Sequence, residues 1–514
     1  TERLMMEQET LYHAVACPRV RLLVSYATHD AAGKEARPSY FVGTLRRLLS
    51  GVPFAFGQEP VQRDRLEAGR PAFELAAAYL CGSRAPAVRA AYEAYQNDER
   101  LLAAQDTFRA RGPLTDPCTI DGLYGESVSL AASRIDQFYS CQFSFFMKYG
   151  LKAQPRRRAQ FSAPETGTFI HYVLENCLQL LGGEEGGAAA ADERAVRAAL
   201  RKVVQQYIDE ELGGLEDKNA RFRYLFNRLV SSVGKILDGV LEEMRKSDFA
   251  PIDYELDFSR DGDLPPVSAE EDGVSVSLIG KVDRVDGYIQ NQRLYIRVMD
   301  YKSGKKSFSL SDIWYGLNMQ LVIYLHAIQE KGLDRYRERL SESLDEIVPA
   351  GVLYVPTRDE LPDADRAVTE EGLEEMRAKA LRRSGLLSDD MDILEAMEHG
   401  LADKTKFIPV SLKKAKKKGD EPEFTAQSAV ANLAKFGRLA RYTQKKLLEM
   451  GRELRHGACA ANPYQYGGRD FCEWCDYRAA CRFDETAGDK KRMLRAVKDE
   501  EFWEKIGGAA HVDE

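Results

Sequence analysis

The chain has 514 residues, of which 44% are hydrophobic and 30% charged, and its formal net charge is −8. This length is too great for a single hydrophobic core, so about two to four domains are expected. No apolar run is long enough to cross a membrane and no signal peptide opens the sequence, which predicts a cytoplasmic protein without membrane contact. The acidic balance gives no overall sign of nucleic-acid binding, so the indications must be local.

The first two predicted segments precede the part of the chain that carries the chemical motifs. Residues 1–115 form a first domain, and because Thr1 leads straight into domain-like sequence the chain is expected to be a fragment of a longer protein. Residues 116–164 are predicted to form a linker and one continuous helix, from Ser133 to about Tyr149, that carries Cys141.

Residues 165–358 are predicted to form an α/β core with an acidic site. A helix carries His171, and two neighbouring strands then each end in a carboxylate, Asp283 and Asp300. Lys302 lies two residues beyond Asp300, so strand alternation places both side chains on the same face. Two carboxylates and a lysine on one face suit Mg²⁺ or Mn²⁺ held against a phosphodiester. This pattern predicts a nuclease.

A helix is predicted after these strands, from about Ser311 to Lys331. Gln320 and Tyr324 are four residues apart on it and therefore share one face. The remaining chain is divided into three segments. Residues 359–450 are a charged and helical segment that completes the domain, residues 451–485 hold a cysteine cluster, and residues 486–514 are a polar tail.

Two short basic stretches are candidates for DNA binding. They contain Arg156, Arg157 and Arg158 in the first stretch, and Lys413 and Lys414 in the second. Each is either a solvated loop or a surface that contacts phosphates.

Three of the nine cysteines are close together in C-E-W-C-D-Y-R-A-A-C, at Cys472, Cys475 and Cys481. A tetrahedral zinc ion or a [4Fe–4S] cluster needs a fourth ligand. Cys459 would complete a local zinc site, with His456 as an alternative ligand, whereas Cys141 would complete a long-range site. The odd number of cysteines argues against a disulfide framework.

Four motifs, in this order, resemble those of the PD-(D/E)XK nuclease superfamily and of its RecB-type branch in particular. They are G-T-F-I-H-Y-V-L-E at 167–175, G-K-V-D-R-V-D at 280–286, D-Y-K-S-G at 300–304 and N-M-Q-L-V-I-Y-L at 318–325. The resemblance implies an α/β fold in which a mixed sheet is flanked by helices.

The same resemblance implies a role for each site residue. The metal ligands would be His171, Asp283, Asp300 and the main-chain carbonyl of Tyr301. Lys302 would orient the attacking water and offset the charge that develops on the phosphate. The side chains of Gln320 and Tyr324 would position the substrate or the lysine. Glu175 and Glu255 could join the site, but a solvated or structural carboxylate is the favoured interpretation of both.

The segment S-R-I-D-Q-F-Y-S-C, which ends at Cys141, resembles the iron–sulfur nucleases of the AddB type, although Gln142 stands where proline is common. The resemblance implies a [4Fe–4S] cluster that joins distant parts of the chain, with the ligands Cys141, Cys472, Cys475 and Cys481. Near the N-terminus, the run from Glu9 to Tyr26 resembles a degenerate superfamily 1 helicase motif, with Cys17 in place of arginine. No G-x-x-x-x-G-K-[ST] loop is present, so no ATPase activity is expected in this chain alone.

Together these features resemble the AddB (RexB) subunits of bacterial AddAB helicase–nucleases. The resemblance implies processing of double-strand DNA breaks for recombinational repair, on single-stranded ends threaded from a duplex and beside an AddA-like helicase–nuclease subunit. Two alternatives remain at this point. One is a nuclease-silent DNA-binding scaffold that supports a helicase partner, and the other is a CRISPR-adaptation-type RecB-like nuclease, although those proteins are shorter and lack the helicase-like segment.

Overall fold

The fold was derived from a computed structural model, in which the chain separates into two compact units, residues 1–109 and 110–514. The structure describes residues 2–20, 22, 24–26, 38–49, 51, 63–109, 112–125, 128–154, 163–184, 187–271, 273–302, 304, 307–357, 368–369, 372, 376, 379–401, 405–413, 423–485 and 488–508. Within these residues, no helix combines the length and the apolarity needed to cross a membrane.

Helices are the only regular secondary structure among the described residues of the first unit. Its helices are α1 Glu2–Ala16, α2 Tyr40–Leu48, α3 Arg63–Leu66, α4 Gly69–Leu80, α5 Pro86–Tyr95 and α6 Glu99–Arg109. A small core forms where Leu75 of α4 packs near Val88 of α5 and Leu101 of α6. The predicted likeness of this segment to a helicase domain stays a prediction.

The second unit is built on an eight-stranded mixed sheet, which confirms the predicted α/β fold. Its strands are β1 Val128–Ala131, β2 Ala250–Phe258, β3 Val267–Glu271, β4 Val274–Gln290, β5 Arg293–Lys302, β6 Glu346–Pro356, β7 Ser384–Ser388 and β8 Val430–Ala431. The strand order is β1-β4-β5-β6-β7-β8, and β2 and β3 also pair with β4. Strand β5 is antiparallel to β4 and parallel to β6.

Helices cover both faces of this sheet. They are α7 Pro117–Tyr124, α8 Ala132–Ser140, α9 Gln142–Phe145, α10 Ala163–Gly182, α11 Gly187–Ala190, α12 Glu193–Tyr207, α13 Ala220–Arg245, α14 Leu310–Trp314, α15 Gln320–Lys331, α16 Leu333–Leu340, α17 Met391–Met397, α18 Leu433–Arg455, α19 Arg478–Cys481 and α20 Asp499–Gly508. One core lies between the sheet and α15 with α18, and a second lies between the sheet and α10, α12, α13 and α17. A small sheet of β9 Tyr464–Tyr466, β10 Arg469–Asp470 and β11 Arg492–Met493 adjoins the cysteine segment.

Two predicted helices are interrupted. The helix expected over 311–331 is divided into α14 and α15, because Gly316 and Asn318 both adopt positive φ, at 81° and 57°. The helix expected over 133–149 breaks at Cys141, whose backbone is extended. The segment expected to be a linker holds α7 and β1, and β1 pairs in parallel with β4. The predicted domain boundaries themselves stay a prediction.

Candidate functional site

Three acidic residues lie in one row across three adjacent strands. In β2 and β4, the pairs Tyr254–Arg284 and Leu256–Val282 flank the position at which Glu255 lies opposite Asp283. The β4–β5 register begins at Arg284–Met299, which puts Asp300 beside Asp283 one step further along. Asp283 therefore lies in the middle of β4 and not at its end, so the predicted strand end is wrong for this residue.

The strand alternation of β4 changes at Asp283. Val282 and Val285 both contact the core beneath α15, although side chains three residues apart in a regular strand would point to opposite faces. The Asp283 carboxylate accepts a hydrogen bond from the backbone N–H of Tyr301 at 2.7 Å. This bond fixes the carboxylate at the point where β4 and β5 meet.

His171 of α10 lies against this carboxylate. Its Nδ1 is 3.4 Å from Asp283 Oδ1, and its Nε2 is 2.9 Å from the main-chain oxygen of Tyr301. Burial lowers the pKa of His171, but Asp283 and the Tyr301 carbonyl outweigh this effect and the net shift is upward. When Nε2 donates to the carbonyl, Nδ1 presents its lone pair toward Asp283, which is the usual arrangement of a metal-binding histidine.

Glu255 joins these two residues, although the sequence favoured a solvated or structural role for it. Ligand atoms of His171, Glu255 and Asp283 all lie within 4.8 Å of one another. Glu255 has φ +49°, a left-handed conformation that is uncommon for a non-glycine residue. Burial, Asp283 and Glu175 raise the pKa of Glu255 to about 7. Carboxylates crowded in this way fit a divalent cation, since hard oxygen ligands and one imidazole can share its positive charge.

Asp300 and Lys302 form an ion pair on the opposite side of β5 from Tyr301. Lys302 Nζ is 2.6 Å from Asp300 Oδ2, which agrees with the expected shared face. Asp300 is buried and is not part of the group within 4.8 Å, so the structure brings together two of the predicted ligands, His171 and Asp283, whereas the Tyr301 carbonyl faces His171 Nε2 on the other side of the ring. Lys302 remains partly exposed at the mouth of the site.

Gln320 and Tyr324 lie at the start of α15, beneath the row of carboxylates. Tyr324 is fully buried, stacks on Phe258 with ring centroids 5.1 Å apart, and hydrogen-bonds with Gln320. A Cβ atom at Gly280 would lie 2.1 Å from the Tyr324 hydroxyl, so only glycine allows this close approach. Tyr324 is therefore positioned to support β4 rather than to contact a substrate.

A buried ionic network, whose members carry no role predicted from the sequence, lies behind the site. Asp286 accepts hydrogen bonds from Arg284 at 2.6 and 2.7 Å and from Arg297 at 2.9 Å. Glu243 of α13 pairs with Arg383 at 2.7 Å and lies 3.5 Å from Arg297. All five of these side chains are buried.

This network reaches the candidate site through Tyr301. The Arg284 guanidinium donates to the Tyr301 hydroxyl at 3.3 Å. The backbone N–H of Tyr301 donates to Asp283, and its carbonyl faces His171 Nε2. Tyr301 is therefore held through both its side chain and its backbone. From the sequence, Arg284 and Asp286 of β4 would ordinarily be predicted to face solvent. The only indication of another role was their position within the motif at 280–286.

The predicted cluster cysteines lie in one neighbourhood. Burial raises the pKa of the Cys141 thiol, and the thiol of Cys475 adds to this shift. Burial also raises the pKa of Cys472 to about 11, with contributions from the thiols of Cys141 and Cys481. Cys475 Sγ is 3.8 Å from the hydroxyl of Ser144, which lies in α9 directly after Cys141.

Hydrogen bonds fix the Cys141 segment to the C-terminal region. The backbone N–H of Gln142 donates to Asn462 at 2.9 Å, and that of Phe143 donates to the carbonyl of Ala460 at 2.9 Å. Cys459, the alternative zinc ligand, instead contacts the carbonyl of Gly112 at 3.5 Å. Among the described residues, no three cysteines lie within 4.8 Å, whereas thiolates of a tetrahedral zinc site are about 3.8 Å apart.

The predicted DNA-binding residues are only partly described. Arg156, Arg157, Arg158 and Lys414 lie outside the described residues. Lys413 is exposed and pairs with Glu423 at 2.8 Å. A role of these residues in DNA binding stays a prediction.

Comparison with known proteins agrees with this geometry. The family model described as the PD-(D/E)XK nuclease superfamily matches residues 129–482, from the first strand of the sheet to the last cysteine of the cluster.

Curated relatives are similar over nearly the whole chain. The ATP-dependent helicase/deoxyribonuclease subunit of the AddB type from Clostridium tetani is 28% identical over 96% of this chain and 43% of its own length. The protein of the same name from Clostridium novyi is 28% identical over 97% of this chain and 44% of its own length. The protein of the same name from Caldanaerobacter subterraneus is 29% identical over 97% of this chain and 43% of its own length. The chain thus spans less than half the length of these relatives.

Proposed function

This chain belongs to the PD-(D/E)XK nuclease superfamily, and from that premise we propose that it is the nuclease-bearing part of an AddB-type helicase–nuclease subunit. It would hydrolyse DNA phosphodiesters during the processing of double-strand breaks for recombinational repair. The observation that supports this most strongly is the convergence of His171, Glu255 and Asp283 beside the Asp300–Lys302 pair.

Each residue would have a defined task in hydrolysis. Asp283, Glu255 and His171 Nδ1 would hold Mg²⁺ or Mn²⁺, with Asp300 at the edge of the site and the Tyr301 carbonyl orienting the ring through His171 Nε2. The bound ion would polarise the phosphoryl oxygen and lower the pKa of water. Lys302 would orient the attacking water and offset negative charge on the phosphate in the transition state. A new P–O bond forms from the water oxygen as the ester P–O bond breaks, the water gives up one proton to solvent, and the leaving oxygen takes one proton from solvent.

The proposed substrate is a single strand separated from a duplex by another chain. The sequence has no phosphate-binding loop of the G-x-x-x-x-G-K-[ST] type, so unwinding would depend on an AddA-like helicase–nuclease subunit. The proposed location is the cytoplasm, the compartment that holds bacterial DNA. Similarity over nearly the whole chain to helicase/deoxyribonuclease subunits favours this assignment over a short CRISPR-adaptation nuclease.

Cleavage of linear single-stranded DNA by the purified chain tests the proposed function directly. Cleavage is expected with Mg²⁺ or Mn²⁺ and not with EDTA. DNA binding without metal-dependent cleavage, both by the chain alone and beside a helicase partner, would instead support the nuclease-silent scaffold.

Metal affinity is expected to rise with pH up to about 7, because the Glu255 carboxyl must lose its proton before it can bind a cation. His171 contributes a second proton below its own raised pKa, so the comparison with Glu255→Gln isolates the glutamate. Calorimetric titration with Ca²⁺ in two buffers of different ionisation enthalpy measures the protons released. Below pH 7 the wild type should release more than Glu255→Gln.

Glu175→Gln provides the matched control for this titration. It should keep the proton release and move it to lower pH, since one charge that raises the pKa of Glu255 is removed. Equal proton release by the wild type and Glu255→Gln would show that Glu255 does not bind the metal.

A [4Fe–4S] cluster on Cys141, Cys472, Cys475 and Cys481 is the second part of the proposal. These thiols lie close enough for Cys475 to raise the pKa of Cys141, and for Cys141 and Cys481 to raise that of Cys472. This proximity supports a cluster, because its iron stabilises thiolates that otherwise repel one another. Such a cluster would join the segment before the nuclease motifs to the segment after them, and so restrict the unfolded chain.

Cys141→Ser is expected to abolish the broad visible absorbance and the bound iron of the anaerobically purified protein. Cys459→Ser should retain both, because that thiol lies beside Gly112 and away from the other cysteines. Iron and zinc analysis of each variant provides the measurement. One equivalent of zinc in the wild type, lost in Cys459→Ser, would instead identify the local zinc site.

A further inference from the structure

The outward face of α13 combines arginine with apolar side chains. Arg221, Tyr224, Leu225 and Arg228 have the spacing i, i+3, i+4, i+7, so they share one face of the helix. All four are exposed, and Tyr224 and Leu225 keep 65% and 44% of their accessible surface. These four residues are called the α13 stripe below.

Charge on this part of α13 has one sign. Residues 219–237 contain three arginines and a lysine but no aspartate or glutamate, although the chain as a whole has a net charge of −8. Within the part of the chain that the structure describes, neither Arg221 nor Arg228 forms an ion pair. A solvated helix face ordinarily mixes both signs, so this surface is complementary to a polyanion.

The stripe lies on a helix that packs against α10, the helix that carries His171. On the inward face of α13, Phe226 contacts Phe169 with ring centroids 5.1 Å apart. Phe169 precedes His171 by two residues on α10. The π-helical turn Ile208–Leu212 that follows α12 is acidic, and its Glu210 hydrogen-bonds with Tyr172 of α10.

We propose that the α13 stripe binds single-stranded DNA that the nuclease site would cleave, an inference that rests on the proposed function. Arg221 and Arg228 contact phosphates about 10.5 Å apart along the helix, and Tyr224 between them stacks on a base. Cationic groups combined with an exposed aromatic ring are typical of sequence-independent single-strand binding. Arginine and tyrosine are also enriched in protein interfaces, so a stripe that has no effect on DNA binding would instead be a surface for a protein partner.

Binding of a fluorescent oligo(dT) in Ca²⁺ buffer, followed by anisotropy at several salt concentrations, tests this inference. The double variant Arg221→Ala/Arg228→Ala should make the negative slope of log K against log salt less steep by about 1.4, because each phosphate contact contributes about −0.7. Tyr224→Ala should weaken binding by about fivefold or more, whereas Tyr224→Phe should bind as the wild type does.

Arg223→Ala is the matched control. It removes another charge of this part of α13 but lies outside the stripe, so the salt slope should change by less than the about 0.7 expected for one phosphate contact of the stripe. Unchanged affinity and slope in the double variant, or an equal effect of Arg223→Ala, would overturn the inference. Metal-dependent cleavage is scored on the same preparations. If the wild type cleaves DNA but the stripe substitutions change neither its affinity nor its salt slope, the stripe is refuted and the proposed function is not. If the wild type neither binds nor cleaves DNA, the proposed function itself is refuted.

Discussion

Replacing Asp283 with asparagine is expected to lower the rate of metal-dependent DNA cleavage by at least about 10³-fold. The carboxylate lies within reach of both His171 and Glu255, and a metal ion held by these residues would be the main source of charge stabilisation in the reaction. The asparagine oxygen can still accept the hydrogen bond from the Tyr301 N–H, so the substitution removes charge while it preserves local structure. Single-turnover cleavage of labelled DNA at saturating protein measures the rate.

Glu346→Gln provides a control with the same change of charge. Glu346 forms an exposed pair with Arg293 at the far end of β6 and should leave cleavage unchanged. Calorimetry should also show weaker Ca²⁺ binding by Asp283→Asn, which separates loss of the metal from a general defect. Cleavage at the wild-type rate by Asp283→Asn would contradict its assignment as a metal ligand.

Replacing Asp286 with asparagine is expected to destabilise the second unit by about 3–5 kcal/mol. Burial alone raises the pKa of Asp286, but Arg284 and Arg297 outweigh burial and the net pKa is lowered. The substitution leaves both guanidinium groups buried without this counter-charge. Because a lowered folded pKa stabilises only above the unfolded pKa, the wild type should lose this contribution as the pH falls through the acidic range, whereas the variant should not.

Urea unfolding followed by tryptophan fluorescence measures this effect in the second unit alone, since all three tryptophans, Trp314, Trp474 and Trp503, belong to it. Asp334→Asn serves as the control, because Asp334 pairs with Arg337 while 97% of its side chain is exposed. Its effect should stay within about 0.5 kcal/mol. A destabilisation of similar size in both variants would show that the buried network contributes little.

The order of the motifs predicted much of the site, because each motif residue belongs to an apolar run that forms a helix or strand of the core. His171, Asp283 and Lys302 come from such runs, and the structure brings their elements together. Glu255 was harder to recognise because it lies on a separate strand and depends on a left-handed backbone conformation. No propensity or spacing in the sequence predicts that distortion.

The buried ionic network was also beyond sequence reasoning. Arg284 and Asp286 alternate with apolar residues as solvent-facing side chains of an antiparallel strand would. They can be buried because Arg297 of β5 and Glu243 of α13 supply compensating charges and hydrogen bonds. The break before α15 had a local signal in Gly316, but the positive φ of Asn318 depends on its hydrogen bonds with Asp136 and Asp312.

The position of a bound Mn²⁺ ion, located by its anomalous scattering in crystals of this chain, tests the central claim most directly. The expected peak lies between Asp283, Glu255 and His171 Nδ1, at ligand distances of about 2.0–2.3 Å typical of such cations. The same crystals grown from Asp283→Asn should lack it. A wild-type crystal soaked in Mn²⁺ that shows no peak among these three residues would contradict the account of this chain as a metal-dependent nuclease.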